Sequence, residues 1–139
     1  MTSTIAQPTK NDMAAIASLL QRMIAAWAIA DAESIANLFV DDGTLIIAGT
    51  YCAGRAAIKD YFTQAFQGEY KNSQVTGKPV SSRFFGPDAG VLVSVGGVLE
   101  PGETEVSSKQ AIRASWTVVR QDGEWRLAAY QNTPRDRVF

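Results

Sequence analysis

The residues that could carry acid–base chemistry in this sequence are few, and they occur in turn-like segments. Asp41 and Asp42 are adjacent, and two carboxylates held close together can raise the pKa of one of them into a useful range. A glycine follows them, however, and an Asp-Asp-Gly run between a helix and a strand is typical of a solvated turn. Glu100, Glu103 and Glu105 surround a Pro-Gly turn, where rim charges are expected. The sequence alone therefore leaves the catalytic residues unknown.

Nucleophilic and metal chemistry also lack their usual side chains. The chain has no histidine and a single cysteine, Cys52. A cysteine nucleophile is commonly activated by a neighbouring base such as histidine, so we expect Cys52 to be a buried, inert thiol. The commonest zinc ligands are missing for the same reason. We predict neither a metal nor a cofactor.

A different kind of site, an apolar pocket, is predicted from residues 112–134, IRASWTVVRQDGEWRLAAYQNTP. Asp122-Gly123 between two β-rich runs is a strong signal for a two-residue hairpin turn. In the register that this turn sets, Ala114 lies opposite Gln131, and the same face carries Trp116. Small side chains beside a lone amide leave room for a ligand, so Gln131 is the expected polar anchor, although it could instead satisfy a backbone group. A Gln131 exposed to solvent would favour a plain interaction module.

The rest of the chain supplies elements to cover that face. A first helix, capped by Asn11 or Asp12, has an apolar stripe that ends at Trp27. Asp31 can cap a short second helix, AESIANLFV, which should stop at Asp41-Asp42-Gly43. A third helix is expected over 55–66.

Strands dominate the second half of the sequence. After a short hairpin formed by 44–48 and 51–52, strands are expected over 74–85 and 91–99, with a type II turn at 100–103 before the final hairpin. Helices followed by strands indicate an α+β fold, with helices over one face of a curved, mainly antiparallel sheet. We predict a tail over 1–11, a single domain over 12–135 and a C-terminal tail over 136–139, with the first ten or so residues disordered.

Composition limits the classes of partner that the protein is expected to bind. The net charge of the 139-residue chain is −1 with mixed signs throughout, which gives no support for binding to nucleic acid or to an anionic membrane. No run is apolar enough to span a bilayer, and the N-terminus lacks a basic segment followed by an apolar core. We therefore expect a cytoplasmic protein with an apolar small molecule as its partner.

Several motifs resemble a known family. The segment FVDDGTLIIAG, the GR that opens the third helix and the final DGEWRLAAYQNTP are similar to the SnoaL-like branch of the nuclear transport factor two-like superfamily. The segments QVTGKPV, GGVLEPGETEV, IRASW and AAYQNTP resemble the SgcJ/EcaC family, which is encoded with enediyne and other polyketide pathways. The resemblance covers about residues 12 to 135. It implies a cone-shaped α+β barrel with a hydrophobic pocket, commonly a homodimer through the outer sheet face, but fold alone fixes no chemistry.

The catalytic positions of the superfamily are not filled here. In relatives that resemble ketosteroid isomerase, the aspartate base lies a few residues beyond the Asp-Asp pair, where this chain has Ile47. The acid of the penultimate strand falls near Ser115 or Trp116, and neither can replace a carboxylic acid. Whether the protein is an enzyme stays open.

Three functions remain from these observations. The first is a binding protein of a natural-product pathway that holds an apolar polyketide or polyene intermediate. The second is a cyclase, isomerase or hydrolase that uses Asp42, Tyr51 or a held water, and the third is a dimeric interaction module with a vestigial pocket. We expect a homodimer through the outer hairpin face, which carries Val119, Ala128 and Tyr130. The residues expected to line the ligand pocket are Trp27, Phe39, Tyr51, Phe62, Phe66, Trp116 and Gln131.

Overall fold

The computed structural model describes residues 6–47 and 49–136, in which three helices precede most of a six-stranded sheet. The helices are α1 (Lys10–Ala28), α2 (Ala32–Ala36) and α3 (Arg55–Ala65). The strands are β1 (Phe39–Ile47), β2 (Thr50–Ala53), β3 (Gln74–Phe84), β4 (Ala89–Leu99), β5 (Ala111–Gln121) and β6 (Glu124–Pro134). The predicted order of helices and strands is therefore confirmed, with boundary shifts of one to a few residues at most elements.

The sheet is curved and open. Its strand order is β2-β1-β6-β5-β4-β3, and all neighbours are antiparallel except β1 and β6. The edge strands β2 and β3 do not pair with each other, so the strands do not form a closed barrel. The three helices cover the concave face, and this confirms the α+β class.

Helix α1 begins earlier than its sequence indicated. Thr9, rather than Asn11 or Asp12, is the N-cap, because its hydroxyl accepts from the Asp12 N–H while the Asp12 carboxylate accepts from the Thr9 N–H. The same carboxylate accepts from Trp125 Nε1 at 3.0 Å and lies 3.2 Å from the Arg120 guanidinium. These bonds lower the pKa of Asp12, the backbone one most strongly. They also tie the start of the helix to the tip of the β5–β6 hairpin.

The second helix is shorter than predicted. Asp31 caps it as expected, since its carboxylate accepts from the backbone N–H and the hydroxyl of Ser34. The helix ends at Ala36, and β1 already begins at Phe39. Asp41 and Asp42 therefore lie on a strand, exposed, and not in the predicted turn. The adjoining strand pairing shifts between Phe39 and Thr44, so this stretch of β1 is irregular.

The hairpin register changes halfway along β6. The turn and the pair Val118 with Leu127 are as predicted, but the next pair is Thr117 with Ala129. Ala128 is the extra residue of a β-bulge, and the pairing of β6 with β1 skips it as well. A bulge adds one residue to one strand and thereby turns every later side chain to the opposite face. The predicted pairing of Ala114 with Gln131 was therefore wrong, because Gln131 faces outward opposite Ser115.

None of the described helices is long and apolar enough to cross a membrane.

Candidate functional site

A cavity of about 210 Å³ lies between the second half of α1 and the concave face of the sheet. Its walls are mainly aliphatic and aromatic, and they include Leu20, Met23, Ile24, Leu45, Val75, Val98 and Ile112. Thr76, Lys109 and Pro134 are its exposed lining residues, so they mark the mouth. An apolar pocket with one open side is the usual form of a small-molecule site.

Small residues on β3 and β4 line part of this space, and Gly96 also lets the two strands approach, because a Cβ there would overlap the carbonyl oxygen of Thr76. Gly77 faces Gly96 across the two strands, and Ser94 faces Ala114 across β4 and β5. Gly97 has a further role, because a Cβ there would overlap the carbonyl oxygen of Gln110. The glycine thus lets the 100–110 loop approach β4 and form the rim of the cavity.

Two tryptophans form much of the wall, and both have their indole N–H satisfied. Trp27 Nε1 donates to Ser73 Oγ at 3.0 Å, and Trp116 Nε1 donates to Ser94 Oγ at 2.8 Å. Buried indoles normally need such a partner. Both rings therefore present only their apolar surface to a ligand.

The inward-facing polar groups of β6 are Tyr130 and Asn132. Tyr130 is 9% exposed, and its ring meets Trp116 edge to face with 4.8 Å between centroids. Asn132 Nδ2 donates to the Tyr130 hydroxyl at 3.0 Å. Burial raises the pKa of Tyr130 to about 12, although the bond from Asn132 opposes that effect. The phenol is therefore protonated at neutral pH.

Another pair of tyrosines lies near the cavity. Tyr70 lines the wall beside Trp27, with 4.8 Å between ring centroids. Its phenol interacts with that of Tyr61, whose hydroxyl donates to Glu69 Oε1 at 3.4 Å. Burial raises the pKa of both phenols. They too remain neutral at physiological pH.

The structure brings three of the seven predicted lining residues to the cavity, namely Trp27, Phe62 and Trp116. Phe66 packs behind Trp27 with 5.3 Å between ring centroids, and Phe39 is completely buried in the core, so both support the wall without reaching the cavity.

The other two predicted positions lie on the convex side of the sheet. Tyr51 is 66% exposed because its partner Ile46 also points outward from β1. Gln131 is exposed because of the bulge at Ala128. The polar residues that face the cavity are its neighbours Tyr130 and Asn132. The predicted register, which contained no bulge, had assigned both of them to the outer face.

One sequence signal could have located the bulge. The bulky inward residues of β6 are Trp125, Leu127 and Tyr130, so their spacing changes from two to three. A pair of alanines, at 128 and 129, fills the interruption. A bulge adds one residue to a half-buried strand, so the spacing between its inward-facing residues changes from two to three at that point.

Acid–base groups other than phenols are scarce at this site. Within the described chain, no carboxylate lines the cavity, and Lys109 at the mouth is the charged residue among the lining. Asp41 and Asp42 are exposed on β1. Cys52 is buried, which raises its thiol pKa. The described residues contain no group of three or more histidine, cysteine or carboxylate side chains that could hold a metal ion.

The geometry agrees with what comparisons with known proteins found. A domain of unknown function with a cystatin-like fold from Nostoc punctiforme is 27% identical, with a TM-score of 0.87 over 94% of this chain and 81% of that one. An NTF2-like protein with a cystatin-like fold from Novosphingobium aromaticivorans is 22% identical, with a TM-score of 0.78 over 92% and 84% of the two chains. A protein of unknown function from Mycobacterium tuberculosis is 20% identical, with a TM-score of 0.75 over 92% and 73%.

No curated protein matches the sequence. The solved structures establish a cystatin-like or NTF2-like fold, and they assign no activity. The family model of the SnoaL-like domain matches residues 8–131, which include all three helices, five complete strands and most of β6. This chain belongs to the SnoaL-like domain family.

Proposed function

We propose that this protein binds an apolar small molecule in the cavity between α1 and the sheet. The observation that carries the proposal is the open space of about 210 Å³ inside an otherwise well-packed core. Protein interiors normally fill such space, because each unfilled volume forfeits packing energy. An apolar cavity of this size with an open side is better explained by a ligand than by packing.

The cavity favours binding over acid–base catalysis. Proton transfer at neutral pH needs a group with a pKa near 7, whereas the phenol of Tyr130 has a pKa raised to about 12. The described lining holds no carboxylate that could serve as the partner base. An isomerase or cyclase of the SnoaL-like kind is therefore the weaker alternative.

The outward orientation of Gln131 removes the anchor on which the pocket was first predicted. It does not leave the cavity without polar groups, since Tyr130 and Asn132 occupy the inward positions on either side of it. The cavity is also not packed solid by Trp27 and Trp116. A vestigial pocket, as in a plain interaction module, would be expected to have collapsed.

The ligand class and location are part of the same proposal. The segments QVTGKPV and GGVLEPGETEV resemble the SgcJ/EcaC family, and that resemblance supports a polyketide or polyene intermediate of a natural-product pathway, such as an enediyne pathway. The apolar walls suit such a molecule. A cytoplasmic location fits a chain whose single cysteine cannot form an internal disulfide.

We also propose that two copies pair through the convex face of the sheet. Ile46 is 43% exposed on this face, and it lies in one cross-strand row with Tyr51, Gln131, Ser115 and Val93. Val91 and Val95 are half-buried next to that row. A contiguous surface that combines Ile46, Tyr51 and three valines with small and amide polar side chains is suited to a two-fold contact. Tyr130, first assigned to this interface, is inside the protein and takes no part in it.

Binding can be tested with diphenylhexatriene, an elongated apolar probe that fluoresces in apolar surroundings. We expect the probe to bind, to gain fluorescence and to quench the emission of Trp27 and Trp116. Ile24→Trp, which places a larger ring in the cavity, should weaken binding at least about tenfold, roughly 1.4 kcal/mol.

The matched control is Ile29→Trp, the same change at a position that is 74% exposed just after α1. It should leave the affinity unchanged. A probe that does not bind, or that binds both variants equally well, would show that the cavity is not the binding site.

A further inference from the structure

The cavity offers very few hydrogen-bond donors to a ligand. The indole N–H groups of Trp27 and Trp116 are engaged by Ser73 and Ser94. Thr76 and Lys109 lie at the mouth, where water competes for their hydrogen bonds, and Gln110 Nε2 already donates to Glu100 Oε1 at 2.9 Å. The inward hydroxyls that remain are therefore the ones that decide which polar group a ligand can bury.

Tyr130 is the best placed of these hydroxyls, because the phenol of Tyr70, which also lines the cavity, already interacts with that of Tyr61. Its oxygen accepts from Asn132 Nδ2 at 3.0 Å, and among the described residues no acceptor takes its hydrogen. A phenol that accepts one bond still has its own hydrogen to donate, and the amide keeps a second N–H. The ring is held by Trp116 at 4.8 Å between centroids, so the hydroxyl has little freedom to turn away.

Ser94 also keeps a hydroxyl hydrogen, but it is less able to reach a ligand. Its oxygen lies one carbon from the strand backbone, and it is covered by the Trp116 indole that donates to it at 2.8 Å. The residue is 5% exposed. Tyr130 instead presents its oxygen at the end of a long side chain that lines the cavity.

We propose that Tyr130, oriented by Asn132, donates a hydrogen bond to a neutral carbonyl oxygen of the ligand, so that the cavity selects apolar aryl or polyenyl ketones and quinones. This inference rests on the proposed binding function and specifies its ligand class. Within the described chain, the inner walls hold no cation that could pair with a buried carboxylate, so a charged ligand would lose its hydration without compensation. A neutral carbonyl avoids that cost and satisfies the donor.

The protonation state of Tyr130 suits this role. Because its pKa is raised to about 12, the phenol donates throughout the physiological range. A donor left without a partner by an apolar ligand costs free energy, and this is why one well-placed hydroxyl can discriminate between ligands of the same shape.

The test uses two probes of nearly equal shape, 2-acetylnaphthalene and 2-ethylnaphthalene, which differ in a carbonyl oxygen. The affinity of each probe, measured by calorimetry, is divided by its partition coefficient from water into cyclohexane, which removes the difference in hydrophobicity. After this correction the wild-type protein should bind the ketone about tenfold more tightly than the hydrocarbon. Tyr130→Phe should remove that preference while it still binds the hydrocarbon. The carbonyl stretch of the bound ketone, measured by infrared difference spectroscopy with ¹³C=O label, should lie at lower frequency in the wild type than in this variant.

Two further variants separate the explanations. Asn132→Asp places a carboxylate next to the phenol that can accept its hydrogen, so it should also reduce the ketone preference. Gln131→Leu changes the adjacent exposed residue and should have no effect.

The outcomes distinguish this inference from the function on which it rests. If both probes bind with no preference for the ketone, or if Tyr130→Phe keeps the preference, the role of Tyr130 is refuted and the binding function stands. If neither probe binds, both are refuted.

Discussion

Truncation of Trp116 to alanine tests how the cavity wall is built. The side chain is 6% exposed, and a buried aromatic of this size removes roughly 150–250 Å² from water. At about 25 cal/mol per Å² this burial amounts to roughly 4–6 kcal/mol, an upper estimate because the unfolded chain already buries some surface. Measured aromatic-to-alanine changes in cores cost about 3–5 kcal/mol.

Two features of the site place the expected loss near the lower end of that range, at about 3 kcal/mol. One side of the indole already faces open space, so fewer packing contacts disappear. The hydroxyl of Ser94 loses its donor, but water can enter from the mouth and replace it.

Urea denaturation should measure this loss as a lower midpoint with an unchanged slope. Ile29→Ala is the control outside the proposed interface, since its side chain is 74% exposed just after α1, and its change should stay within about 0.5 kcal/mol. A loss below about 1 kcal/mol for Trp116→Ala would refute the inward placement of the ring. A loss as large for Ile29→Ala would show that the measured change does not report burial of the side chain.

Two other predictions concern titration and assembly. Tyr130 ionises near 10 when unfolded and at about 12 when folded, so the unfolded state loses its proton first and stability should fall by about 3 kcal/mol between these pH values. In Tyr130→Phe the decline in urea midpoint over this range should be smaller; an identical decline would contradict burial of the phenol. Sedimentation should show a dimer at micromolar concentration that Ile46→Glu weakens and Ile29→Glu, off the sheet, does not. A monomer in the unmodified protein would remove the proposed interface.

Local signals in the sequence determined most of the elements. The stripe of apolar residues in α1, the cap at Asp31, and the Asp122-Gly123 turn each depend on a few neighbouring residues. Such signals act through hydrogen bonds and backbone preferences within one turn, so they can be identified without the fold. They also placed Trp27, Phe62 and Trp116 on inward faces, where the structure has them.

The polar side of the cavity was decided only by tertiary structure. The bulge at Ala128 lets β6 keep its pairing with β5 on one side and with β1 on the other, and both pairings shift at the same place. The β1 partner comes from a segment about ninety residues away, so no local pattern in β6 specifies that requirement. Because side chains alternate along a strand, one extra residue sends Gln131 to solvent and brings Tyr130 and Asn132 into the cavity.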